Sequence, residues 1–268
     1  KVLGKVCDIS AQKQGKGPAI QGEQTLSGKS YGDLFEYTKS GYGNGLAVTG
    51  FRGEKNQTII FQNRFGNKPV IEIAAGSFES TQIEEAILTE GINRISEKAF
   101  ANCNKLHQVV LPMSVEEIAD NAFENCYHLK SISLPAMLKT IGIAAFKGTG
   151  LRTIDLPKSV YWIGEALMAD CRDLERITIP DNINRISGSM FEGCTNLKKI
   201  NLPDSLSEIG DRAFFGCSSL DFVVIPDSVQ QIGQDAFTNT DKQFIIQCSF
   251  GTYAEEYARK NKIKYQLV

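Results

Sequence analysis

Five cysteines fall at intervals that repeat: Cys103, Cys126, Cys171, Cys194 and Cys217. If each interval is one coil of the chain, neighbouring thiols approach the roughly 4.4–6.8 Å between Cα atoms that a disulfide needs. Thr81, Thr149 and Thr240 hold the same slot in other coils, and a slot that accepts threonine asks for a small buried side chain. Inert thiols are therefore expected there, rather than disulfides or metal ligands. The seven cysteines are odd in number and include no C-x-x-C pair, which argues against a complete disulfide framework or a zinc site. The two histidines, His107 and His128, fall on neighbouring coils without a third ligand or an orienting carboxylate, so surface or rim packing is expected. No HExxH, GxSxG or phosphate loop occurs, and Gly41 to Gly45 (GYGNG) lacks the strand–helix setting of a nucleotide loop. No catalytic residue, cofactor or metal is expected, and the chain is not read as an enzyme.

Two groups have the chemistry of recognition. Lys130, Arg152, Arg176, Lys198 and Lys199 recur over four consecutive coils at outward strand positions, with Asp155 and Glu175 among them. They form either a solvated mixed-charge face with weak ion pairs or a site for an anionic partner. Tyr161 and Trp162, the sole tryptophan, hold positions that are polar or charged in most other coils (Glu116 and Glu117, Lys139 and Thr140, Asn184 and Arg185). At least one ring is expected to be exposed, as a recognition hot spot or as a cover over the core beside an irregular coil.

What positions these residues is a repeat. Residues 197–219 nearly reproduce themselves when shifted by 23 positions either way, the mark of a solenoid. Regular coils begin at Ile83, Leu106, Leu129, Leu151, Leu174, Leu197 and Leu220, and the one at Leu129 is a residue short, at Lys147 to Gly150. With one irregular coil before them, eight are expected.

Within a coil Leu106, Val109 and Leu111 alternate with polar residues, as in a half-buried strand. Pro112 and its counterparts end the strand, because proline has no N–H for the ladder. Val115 and Ile118 point inward from a second short extended piece, and Ala122-Phe123 follows on a tight helical turn. The residue before each cysteine slot is only Gly, Asn or Asp (Asn102, Asn125, Gly148, Asp170, Gly193, Gly216, Asn239), which suggests a short helix closed by a left-handed residue. The strands should be parallel and the crossovers right-handed. The fold class is thus a mostly-β α/β solenoid, a right-handed coil of about eight 23-residue turns with a parallel sheet and short helical turns, capped at both ends.

The expected organisation is an irregular or linker segment at 1–33, including Cys7, and a hairpin cap with the irregular coil at 34–82. Seven regular repeats follow at 83–242, and a strand–helix–strand cap at 243–268. Thr252 to Glu255 reads as a capping box opening that last helix. The net charge of −2 supplies no general basic field for nucleic acid, and no apolar run is long enough to span a bilayer. The first residue is Lys1, as expected of a processed or truncated product, so any signal or anchor would lie outside the sequence.

The consensus L-x-x-I-x-L-P-x-S-V-x-x-I-G-x-x-A-F-x-x-C resembles the BspA-like leucine-rich repeats, as do the leading hairpin at Tyr37 to Phe51 and the ending at Gly251 to Ile263. The resemblance covers roughly residues 34–268. Leu167-Met168 in place of Ala-Phe, the short coil and the first 33 residues depart from it. It implies a secreted or cell-surface protein of a host-associated microbe, with adhesion or recognition of a protein or glycan ligand, such as host extracellular matrix, as its role. A monomer without nucleic-acid partners is expected. The alternative is a rigid spacer that presents another domain and has no ligand of its own.

Overall fold

The computed structural model describes residues 31–53 and 58–268. The linker and Cys7 read from the sequence therefore lie, up to residue 30, outside the described residues.

The 23-residue period becomes a stack of parallel strands in strict register. Leading strands carry the first apolar alternation of most coils: Glu85–Ile87 pairs Gln108–Val110, Thr153–Asp155 pairs Arg176–Thr178, and Phe222–Val224 pairs Ile245–Cys248, whereas the coils beginning at Leu129 and Leu197 form no strand there. Trailing strands carry the second: Arg94–Ile95, Glu117–Ile118, Thr140–Ile141 and Trp162–Ile163 stack in order, followed by Arg185–Ile186, Glu208–Ile209 and Gln231–Ile232 as a separate sheet. Leu106, Leu129 and Leu174 are fully buried, as are Val115 and Ile118. The apolar alternation thus dictates which backbone edge is free to pair with the next coil.

The serine two residues after the proline has a definite task. Ser114, Ser159, Ser205 and Ser228 each donate a hydroxyl hydrogen bond to a carbonyl of the preceding coil, at Ile92, Leu138, Ile183 and Leu206. Asn182 substitutes its amide for the same bond, to Val160 O at 2.6 Å.

Two expectations are corrected. The hairpin at the N-terminal end is more than a lid: β1 (Phe35–Lys39) pairs antiparallel with β2 (Leu46–Phe51), and β2 itself pairs parallel with Lys68–Ile73. Val48, Ile73 and Ile95 are fully buried in one column, so β2 is already a rung and the solenoid has about nine turns rather than eight.

The second correction concerns the crossovers, which are consecutive turns and not short helices. Their N–H groups alternate in direction. Lys98, Phe100 and Asn102 donate to Asp120, Ala122 and Glu124 of the next coil, whereas Ala99, Ala101 and Cys103 donate to Ser96, Lys98 and Phe100 of their own. An α-helix keeps these bonds along its own axis. Here every second one goes sideways, and that requires two left-handed residues per coil. Asn102 (φ 60°) is the expected one, and Lys98 (φ 54°), four residues earlier, is the unexpected one. The pair recurs at Asn121 and Asn125, Ala144 and Gly148, and so on to Asp235 and Asn239.

Phenylalanine rings fill the interior in a column. The Phe100 ring centre lies 5.4 Å from that of Phe123, and Phe123 5.6 Å from Phe146, each pair stacked with nearly parallel planes. The column pauses at Met168 and resumes from Phe191 through Phe214 to Phe237. At the far end α1 (Tyr253–Lys260) starts at Thr252, whose hydroxyl accepts the Glu255 N–H, while the Glu255 carboxylate accepts the N–H of Gly251. Ala254, Glu255 and Ala258 are its buried face, while Tyr253 is partly exposed. Lys264–Leu267 then pairs parallel with Ile245–Cys248.

Candidate recognition face

On the trailing-strand sheet the outward side chains form one column across five strands: Glu72, Arg94, Glu117, Thr140 and Trp162. Adjacent strands lie about 4.8 Å apart, so neighbours in the column touch. Arg94 is ion-paired with Glu117, and its Nε donates to Ser96 Oγ at 3.2 Å. Ser96 in turn donates to Glu72 at 2.6 Å, and Ser40 donates to the same carboxylate at 2.5 Å. Glu72 is buried, and two hydroxyl donors satisfy a carboxylate that would otherwise be costly to desolvate.

The same network places a residue from the hairpin loop. Ser40 Oγ accepts the N–H of Tyr42, and the Arg94 guanidinium lies 3.7 Å from the centre of the Tyr42 ring. Tyr42, 66% exposed, therefore stands at one end of an open groove of about 390 Å³. Trp162, 47% exposed, stands at the other, with Arg94, Glu117 and Thr140 between them. Tyr161, beside Trp162 in the chain, is exposed but does not line this groove.

The basic residues lie on the leading-strand face, separate from the aromatic groove. Lys130 reaches across the short coil to Asp173 at 2.7 Å. Arg176 is 3.8 Å from Asp155, whose carboxylate also accepts the Thr178 hydroxyl. Arg152 and Lys198 are exposed, and the Lys199 ammonium sits 5.7 Å from the Phe222 ring centre. The missing residue of the short coil leaves a notch of about 570 Å³ lined by Tyr127, Lys130, Gly150, Arg172 and Asp173. A Cβ at Gly150 would stand 2.2 Å from Tyr127 O, so the coil shortens only with glycine at that point.

The cysteine column is reduced and fully buried. Cys126, Cys171, Cys194 and Cys217 donate to the carbonyls of Phe100, Phe146, Met168 and Phe191 in the preceding coil. Thr149 and Thr240 donate instead to the phenylalanine carbonyl three residues back, which explains why threonine fits the slot. Burial pushes the Cys171 thiol up to about 11 and Cys217 to about 12, so neither is a nucleophile near neutrality. His107 Nε2 lies 3.4 Å from Glu85, and His128 Nδ1 contacts the Asn104 carbonyl. Among the described residues no group of His, Cys, Asp or Glu gathers as a metal would require, and no helix is long and apolar enough to cross a membrane.

Sequence reasoning singled out Trp162, which is exposed and lines the groove, but not the residues that line it alongside. Glu72, Arg94, Glu117 and Thr140 share its place in the repeat and were findable from that register. Tyr42 carries no repeat signal.

The profile of one protein family, described as BspA type Leucine rich repeat region, matches six copies, over residues 50–139, 71–190 and 116–245. No curated protein matches the chain. Among solved structures, a leucine-rich repeat protein from Bacteroides ovatus superposes with a TM-score of 0.73 at 28% identity, covering 88% of this chain and 66% of its own. The chain thus spans just under two thirds of that protein's length. A Leucine Rich Repeat protein from T. pallidum is similar in fold, with a TM-score of 0.65 at 24% identity, covering 87% of this chain and 96% of its own.

Proposed function

This chain belongs to the BspA type leucine-rich-repeat family, and from that membership we propose that it is a non-catalytic recognition module of a secreted or cell-surface protein. It binds a protein or glycan along one face of the array, as a monomer, and takes no cofactor. The observation that supports this most is the exposed Trp162 on the last strand of a hydrogen-bonded sheet, facing Tyr42 across an open groove. A half-exposed tryptophan held by a preorganised scaffold is the kind of side chain that dominates interface energetics. Tyr161 extends the aromatic surface beyond the groove. Arg152, Lys198 and Lys199, with the paired Lys130 and Arg176, offer a second, salt-sensitive contact on the leading-strand face.

The test is binding of the immobilised chain to a panel of extracellular-matrix proteins and a glycan array. Loss of binding in a Tyr161→Ala, Trp162→Ala double variant supports the aromatic face. Binding that survives it but disappears at raised salt places the contact on the basic face. The continuous hydrogen-bonded core also suits a stiff spacer, and a chain that binds nothing in either panel is read that way.

A further inference from the structure

We propose that the groove between Tyr42 and Trp162 binds a short, uncharged oligosaccharide. This rests on the recognition function above and names the ligand class for its aromatic face. Tyr42 and Trp162 bound a floor of charged and hydroxyl groups, and three strand spacings separate the Arg94 rung from Trp162, roughly 14 Å, the reach of a short oligosaccharide. Aromatic faces suit the C–H faces of pyranose rings, and carboxylate, guanidinium and threonine hydroxyl groups suit pairs of sugar hydroxyls.

The floor is fixed before any ligand arrives. Arg94 is held by Glu117, Ser96 and the Tyr42 ring, and Asp120 by the N–H of Ile143 at 2.8 Å. Little ordering cost therefore remains for binding.

Three rival ligand classes fit less well. An extended peptide recognised by strand addition needs a free sheet edge; the Arg94, Glu117 and Thr140 strands are paired on both sides, and Trp162–Ile163, which ends its sheet, is covered by the next coil through Asn182 to Val160 O and Ser187 to Gly164 O. An anionic ligand meets Glu72, Glu97, Glu117 and Asp120 against the lone arginine of the lining, Arg94. A cationic one meets Arg94 on the floor and carboxylates that already have partners: Glu117 is paired with Arg94, Glu72 is buried under two hydroxyls, Glu97 lies 3.4 Å from Lys98, and Asp120 accepts the Ile143 N–H.

Because Trp162 is the sole tryptophan, its fluorescence reports on this groove alone. The chain is titrated with maltotriose, cellotriose, N-acetylchitotriose and a neutral glycan library, with heparin and pentalysine as charged probes. The expected result is a saturable emission change with at least one neutral oligosaccharide. By calorimetry that binding weakens at least tenfold in Tyr42→Ala and in Trp162→Ala, and stays unchanged in Tyr127→Ala. No response across the neutral panel, or saturation by heparin or pentalysine instead, overturns the assignment. If the neutral panel is silent while matrix proteins still bind through Trp162, the sugar assignment fails and the recognition function stands.

Discussion

The interruption of the phenylalanine column provides a quantitative test of how the coils pack. In most coils an alanine precedes the phenylalanine, as in Ala122-Phe123 and Ala145-Phe146, and both are fully buried. One coil carries Leu167-Met168 instead, also fully buried. Going back to Ala-Phe removes about three heavy atoms at one slot and adds about three at the other, a volume-conserving exchange. Leu167→Ala alone leaves a cavity and is expected to cost about 2–5 kcal/mol. Met168→Phe alone overpacks a filled interior and is expected to cost about 1–3 kcal/mol. The double variant, which also extends the ring stack from Phe146 towards Phe191, should fall within about 1.5 kcal/mol of the parent. Met190, in the alanine slot of the next coil, is flexible enough to adjust. Urea unfolding with an unchanged m-value measures all four proteins and yields a coupling of at least about 1.5 kcal/mol. Costs that simply add would show that the two slots do not share one space, and the packing argument would be wrong.

Other consequences follow from particular contacts. Unfolded thiols ionise near pH 8.5, but the buried ones keep their protons up to about 11 for Cys171 and about 12 for Cys217. Their contribution to stability is complete below pH 8.5 and is lost as pH rises towards those values, each thiol contributing a slope of about 1.4 kcal/mol per pH unit. Replacing Cys126, Cys171, Cys194 and Cys217 with threonine should flatten that alkaline limb in denaturant titrations, and an unchanged slope would acquit the thiols. Gly150→Ala, which drives a methyl into Tyr127 O, should cost about 1–3 kcal/mol, read as a lower urea midpoint. Ser40→Ala removes one of the two hydroxyl donors to buried Glu72 and should cost about 1–3 kcal/mol, with faster amide exchange over residues 41–45 as the local signature.

The sequence was most legible wherever a physical requirement is repeated. Leu106, Val109, Val115, Ile118 and Phe123 recur in phase through seven coils, so inward positions, strand alternation and stacking could be read without coordinates. The Gly, Asn and Asp residues before the cysteine slot likewise revealed a left-handed backbone, because those types tolerate it at low cost. Its partner four residues earlier left no trace. Lys98, Ala144, Ala166 and Arg212 adopt the same angles because hydrogen bonds to the next coil impose them, and side-chain type gives no hint of that.

Sequence alone determined the period and the buried faces, since each is a local choice written several times over. Tertiary structure decided that β2 is a rung, because its partner lies more than 20 residues on and shares no motif with it. It also carried Tyr42 onto Arg94, sent Lys130 across the short coil to Asp173, and set the aromatic groove apart from the basic residues. Each of these depends on where the backbone of one segment lies in space relative to another. A pattern that repeats along a chain says nothing about contacts made only once.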